Sequence, residues 1–290
     1  MVYKPSIGEK IFNVFNILFM MFMIIITLYP FWYCVTCSLS RDIVGNSSSL
    51  MLLPKGLSFA AYANVMQNPN IINGYKVTIF IVVVATVLNL IMTSIAAFLL
   101  TRKRFAIKSF LTWMMLFTMY FGGGMIPTYV IYNNVLGLRD SLLVLILPGA
   151  ISVYNMIVMR TNFAAIPSSL EESVKVDGGN DLHVLWHIIV PLSKAIMSVM
   201  VLFYGVAHWN SWFNAMLYIN DPKKIPLQLA LRSILLQEQI NADAGSADNM
   251  GLAENIKYAT IIVATLPILL IYPFIQKYFV KGVMIGAVKG

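Results

Sequence analysis

Few side chains in this 290-residue sequence stand at spacings that do chemistry, and the first candidates fail on context. Cys34-Val-Thr-Cys37 has the C-x-x-C spacing of a redox or metal pair, but no second pair exists and both thiols lie in an apolar run. They read as small residues of a membrane span. His183 and His187 are four apart, so a helix would put both on one face as in a zinc site. Val-Leu-Trp separates them, without the glutamate of H-E-x-x-H, and no third ligand is evident. No Ser-His-Asp arrangement stands out, and no metal site is expected. Two concentrations of polar side chains remain.

The first is acidic. From Ile166 the chain reads IPSSLEESVKVDGGNDLHVLWHIIVPLSKA, with Glu171, Glu172, Asp177 and Asp181 close together. Pro167, the possible caps Ser168 and Ser169, and two acids in the first turn predict a helix. Asp177-Gly178-Gly179 ends it, because glycine reaches the left-handed conformation that closes a helix. A second helix follows from Asp181 to Pro191. The pair is too polar for lipid and forms an exposed knuckle suited to a cleft on another protein. The second concentration is AHWNSWFNAMLY at 207–218, with His208, Trp209, Asn210, Trp212, Asn214 and Met216. On one helix these cover a broad face of aromatic rings and amides, which suits sugar C–H groups and hydroxyls. Interfacial aromatics and interhelical amide bonds are the competing reading. Tyr120, Tyr129 and Asn133 are further candidates for a substrate path.

These residues must be carried by membrane helices. The chain is 59% hydrophobic and 11% charged, with a mean hydropathy of +0.78, against roughly 45–50% apolar and about 25% charged in soluble domains. Disorder and a disulfide scaffold are excluded. About 20 apolar residues cross the ~30 Å hydrocarbon core, and six segments qualify: 11–37, 77–100, 109–132, 142–159, 195–219 and 258–279. The first is too long for a signal peptide and lacks a cleavage site, so it reads as retained. The fold class is all-α, a polytopic membrane protein of six transmembrane helices in a single domain over 1–290.

The net charge of +8 gives the orientation. Lys4 and Lys10, then Arg102, Lys103, Arg104 and Lys108, then Lys277, Lys281 and Lys289 fall on one side of a six-span chain. The positive-inside rule makes that side, with both termini, cytoplasmic. The surplus is topology, not nucleic-acid affinity. The connection 160–194 is then cytoplasmic and 220–257 external. Within the external loop Leu227, Leu231, Ile234 and Leu235 repeat at helical spacing. That predicts a short amphipathic helix that caps the bundle or touches a partner. Phe121-Gly122-Gly123-Gly124 with Pro127 interrupts the third span, as a bend lining a path or as close packing on a neighbour.

The knuckle resembles the EAA motif of ABC importer permeases: Glu172, then Ser173 and Val174 where the family has two alanines, Gly178 four residues on, and Ile188, Val190 and Pro191 beyond. Acid, glycine, proline and both spacings hold. FGGGMIPTY (121–129), IPLQLALRS (225–233) and YPFIQKYFVKGVMIGAVKG (272–290) extend the resemblance along the chain. They are similar to the smaller permease of maltose-type carbohydrate importers, in the subgroup with the lipoprotein-associated and alginate or rhamnogalacturonan oligosaccharide permeases.

That resemblance implies a non-enzymatic subunit of an ATP-driven oligosaccharide importer in a bacterial cytoplasmic membrane. No G-x-x-x-x-G-K-[ST] occurs, so no cofactor is expected in this chain. ATP and magnesium would belong to two partner ATPase subunits. A second permease and an external solute-binding protein complete the assembly, and lipid surrounds it. The resemblance assigns ATPase coupling to Glu171, Glu172, Asp177, Gly178, Gly179 and Pro191, with Glu172 facing a basic residue in the ATPase groove. It assigns binding-protein contact to Pro226, Gln228, Arg232 and Gln237. In the family most sugar contacts come from the larger permease. The substrate would be a plant or algal oligosaccharide carrying uronic acids. An ion-coupled secondary carrier is the rival, and it would need paired acids inside spans, where this chain has almost none.

Overall fold

The computed structural model describes residues 6–41, 51–102, 105–244 and 247–287. Lys4, Lys103, Arg104 and Lys289, used above for orientation, lie outside the described residues. Among the described residues the regular structure is helical, with one isolated backbone bridge between Ser40 and Leu57. Three helices are long and apolar enough to cross a membrane, and up to five spans result if each of two sharply bent helix pairs is one span.

The chain divides into two units. Unit 1 holds residues 1–68 and 231–265. Its main helix, α1 (Ile7–Ser38), starts with a capping box in which Ser6 and Glu9 exchange side-chain and backbone hydrogen bonds. Its apolar surface is exposed along most of its length, as a lipid- or partner-facing helix requires. Past α1, Asn255 donates to the Ser40 carbonyl at 2.8 Å and Tyr258 meets Tyr33 edge-on at 5.7 Å. Helix α2 (Ala60–Gln67) belongs to the same unit.

Unit 2 holds residues 69–230 and 266–290. Its axis is α3 (Pro69–Thr101), which packs along α7 (Val153–Ala164) and α11 (Lys194–Trp209). The core there joins Ala97, Phe98, Met156, Met159, Met200 and Tyr204. Small and hydroxyl residues of α3 (Ala85, Thr86, Thr93, Ser94, Ala97) are buried, which lets neighbouring backbones approach closely.

The remaining predicted spans are not continuous helices. The third is α4 (Lys108–Tyr120) followed by α5 (Met125–Val130) and a widened turn over Ile131–Val135, bent by 112° at the glycines. The fourth is α6 (Leu143–Ile146) and α7, parted at Pro148-Gly149; proline lacks a donor and glycine relaxes the backbone. The fifth is α11 and α12 (Phe213–Tyr218), parted at Asn210–Trp212. That break corrects the expectation of one helical face through 207–218. The predicted external helix is present as α13 (Leu227–Ala244), with Leu227 and Leu231 buried and Ile234 and Leu235 half-buried. The last helix is α14 (Ala247–Ala287).

Candidate coupling site and substrate path

The knuckle forms as α8 (Ser168–Val176), a tight turn, and α9 (Asp181–His183), which continues through a widened turn (Val184–Ile189) into α10 (Val190–Leu192). Pro167, not a serine, occupies the N-cap position, and Ser168 and Ser169 lie inside α8. The C-terminal end closes as a Schellman motif. Asp177 is the C-cap, Gly178 has φ 82°, its N–H donates to Lys175 O at 3.1 Å, and the Gly179 N–H donates to Val174 O at 2.8 Å. A Cβ on Gly179 would collide with Val174 Cγ1, so both glycines are needed, one for its φ and one for space. Asn180 then caps α9 by accepting from the His183 N–H at 2.8 Å, and Lys175 pairs with Asp181 across the turn at 3.2 Å.

Leu185 and Ile189 anchor the second arm by entering the core beside Phe98 and Met159, each contributing about 1.5–3 kcal/mol where it leaves water. Pro191 lies within α10, near its start. It cannot donate to the preceding turn, and the chain bends by 86° into α11. The bend itself falls at Ser193, two residues after Pro191. The His183 and His187 rings stack at 4.0 Å, and no group of three metal-ligating side chains occurs among the described residues.

The two glutamates of α8 face different ways. Glu171 is held by Arg102 at the end of α3, through paired contacts from both guanidinium nitrogens, one of them 2.7 Å from Oε1. Arg102 also lies 4.0 Å over the Phe98 ring. Glu171 is thus a tie within the chain. Glu172 is exposed, at the rim of a cavity of about 850 Å³ that Arg102, Phe105, Phe163 and Lys175 help to line. Among the described residues Lys175 is engaged by Asp181 and Arg102 by Glu171, and Glu172 is the exposed glutamate of α8 at this rim.

The expected substrate path is less unified. Trp209 is buried, meets Tyr75 at 6.1 Å, and lines an apolar hollow of about 310 Å³ with Val82, Thr86, Gly205 and Ile268. Tyr129 stacks on Tyr218 at 5.4 Å in a packed cluster. Both make ring contacts within this chain. Asn210 and Asn214 are exposed, Trp212 is half-buried, and Tyr120 is exposed at the end of α4. Gly122 and Gly123 have nothing within 4 Å of where a Cβ would stand, and Gly124 has φ 86°. Within this chain the glycines serve the turn, not close packing.

Two polar rungs brace α3 against α11 and the broken fourth span. His208 Nε2 lies 2.8 Å from Asn89 Oδ1, and the buried Asn89 amide donates to the Gly149 carbonyl at the break. One turn along, Thr93 and Tyr204 hydroxyls meet at 2.7 Å, and Tyr204 also accepts from the Ser152 N–H at 3.2 Å. An unwound backbone at membrane depth requires such partners. Of the residues assigned to binding-protein contact, Pro226 is buried, Gln228 half-buried, and Arg232 and Gln237 exposed.

No protein-family profile matches the chain. Protein LplC of Bacillus subtilis is 40% identical over 283 residues, 97% of this chain and 96% of that protein. The chain belongs to the permease subunits of ABC carbohydrate importers. The polygalacturonan/rhamnogalacturonan transport system permease YtcP of the same organism is 37% identical over 97% of this chain and 99% of its own length. A crystal structure of a bacterial ABC transporter that imports the acidic polysaccharide alginate contains a chain with 30% identity and a TM-score of 0.86, covering 96% of this permease and 100% of that chain.

In this ABC permease the residues that sequence reasoning missed are Arg102, Asn89, Thr93 and Tyr204. Asn89 and Thr93 carried a signal, since polar side chains inside an apolar span need a reason. Arg102 carried none: it was one of several basic residues counted for topology, and its pairing with Glu171 spans 69 positions.

Proposed function

We propose that this permease forms the translocation path of an oligosaccharide importer with a second permease, and is driven through Glu172 by separate ATPase subunits. The observation that carries this reading is the outward-facing Glu172 on a helix locked at both ends, by Arg102–Glu171 and by the Gly178–Gly179 turn. A helix so tied moves with α3 as a body, so displacement of a docked ATPase is passed to the spans and not lost in a flexible loop.

The reading includes six spans, with α4–α5, α6–α7 and α11–α12 each counted as one broken span, both termini in the cytoplasm, and a bacterial cytoplasmic membrane. An external binding protein delivers substrate near α13. Asn210, Trp212, Asn214 and Tyr120 are the exposed polar and aromatic candidates for sugar contact. ATP and magnesium belong to the ATPases. The alginate and polygalacturonan relatives support an oligosaccharide bearing uronic acids.

The test is reconstitution with the partner permease, ATPases and binding protein in proteoliposomes, with ATP hydrolysis measured with and without oligogalacturonate. Glu172→Ala should remove most of the stimulation while Glu172→Asp keeps part of it. Full stimulation in Glu172→Ala would sink the coupling role, and uptake driven by an ion gradient without ATP would sink the importer reading.

A further inference from the structure

Asp140, in the loop between the third and fourth spans, has φ 54°, the only non-glycine residue among those described with a left-handed backbone. Aspartate tolerates that region better than most residues, yet it persists only where surroundings hold it. Here every polar atom of the residue is engaged by one other segment. Its N–H donates to Tyr218 O at 2.9 Å. Oδ1 accepts from the N–H groups of Asn220 at 3.1 Å and Asp221 at 3.0 Å. Its carbonyl accepts from Lys224 Nζ at 2.7 Å, and the same ammonium lies 3.7 Å from both Asp140 Oδ2 and Asp221 Oδ2. Asp221 in turn accepts from the Lys223 N–H at 2.9 Å, fixing the turn Pro222–Lys224.

The next residues are fixed independently. Asn73 donates to Lys223 O at 2.8 Å and the Leu227 N–H donates to Thr78 Oγ1 at 2.8 Å. A Cβ on Gly74 would stand 2.9 Å from Leu227 Cα. The start of α13 is therefore clamped from two directions, by α3 and by Asp140. The donated N–H of Asp221, ahead of that of Asn220 and the Lys224 charge, holds the Asp140 carboxyl below the usual carboxylate range, so it stays ionised through neutral pH.

We infer that Asp140 is a positioning residue for binding-protein docking: by stapling residues 218–224 to the loop after the third span, it fixes where the exposed residues Asn220, Pro222 and Lys223, just ahead of α13, are presented outside the membrane. This rests on the importer reading above. It also gives the strained backbone a use, since the same staple joins the docking segment to the loop that follows the bent third span.

The experiment titrates binding protein against the reconstituted complex and reads ATP hydrolysis. Asp140→Gly keeps the left-handed backbone and removes the carboxylate, whereas Asp140→Asn keeps both the Oδ1 acceptor and the backbone preference. The expected result is a rise of about fivefold or more in the half-saturating binding-protein concentration for Asp140→Gly, the size of a modest coupling free energy, at an unchanged saturating rate. Asp140→Asn should restore most of the affinity. An unchanged half-saturating concentration in Asp140→Gly would overturn the inference, as would a lower saturating rate that added binding protein does not recover. A wild-type complex with no binding-protein stimulation would instead overturn the importer reading itself.

Discussion

Glu171 and Glu172 are neighbours in the chain, but a helix turns consecutive side chains by about 100°, and here that rotation separates an internal tie from an outward contact. Adjacent acids in a helix's first turn look alike in a sequence, because the helix dipole favours both. The Arg102 partner tells them apart. Both members of the Arg102–Glu171 pair are largely buried, at 19% and 16% side-chain exposure. Arg102→Gln or Glu171→Gln should therefore cost about 1–3 kcal/mol, between surface and fully buried pairs. Thermal unfolding of the assembled complex would measure it, and the double variant should lose less than the sum of the two single losses. Additive losses would mean that the pair is not coupled. Asp140 shows the same limit, because its partners lie about eighty positions away.

At the scale of elements, the knuckle was readable because its signals are local. Pro167 and the two glycines act through backbone geometry within a few residues, so the end of α8 before Gly178 and the start of α9 at Asp181 followed from residue type, while the first residue of α8 is Ser168, one of the two serines expected to cap it. Gly178→Ala tests that account. Alanine at φ 82° should destabilise the turn by about 1 kcal/mol or more, seen as faster amide exchange in α8 and weaker stimulated ATP hydrolysis, while Gly178→Asn should be milder. Equal behaviour of the two variants would refute a left-handed requirement. The broken spans were less readable. Glycines 122–124 announced their bend, but the break at Asn210–Trp212 carries neither glycine nor proline to mark it.

For the whole molecule, the apolar lengths and basic loops argue for six spans with both ends inside, and the broken helices make that a statement to be measured. With Cys34→Ser and Cys37→Ser removing the native thiols, membrane-impermeant labelling should reach Gly8→Cys and Val176→Cys only from the cytoplasmic face. Arg139→Cys and Leu236→Cys should label only from outside. Labelling of positions 8 and 176 from opposite faces would exclude the six-span arrangement. The exposed apolar surfaces of α1 and α4 fit a subunit that completes itself against lipid and a second permease.

Composition, apolar length and charge placement by themselves determined that this chain is a helical membrane protein with an exposed acidic helix–turn–helix, because each acts through solvent or through neighbours in sequence. Tertiary structure decided which acid is tied to Arg102 and which stays exposed, which aromatic rings stack on one another, and that Asn89, Arg102 and Asp140 brace the molecule. Those outcomes depend on contacts between residues some 60 to 120 positions apart. In lipid the polar pairing that selects such contacts is set by which helices meet, and no local pattern records that.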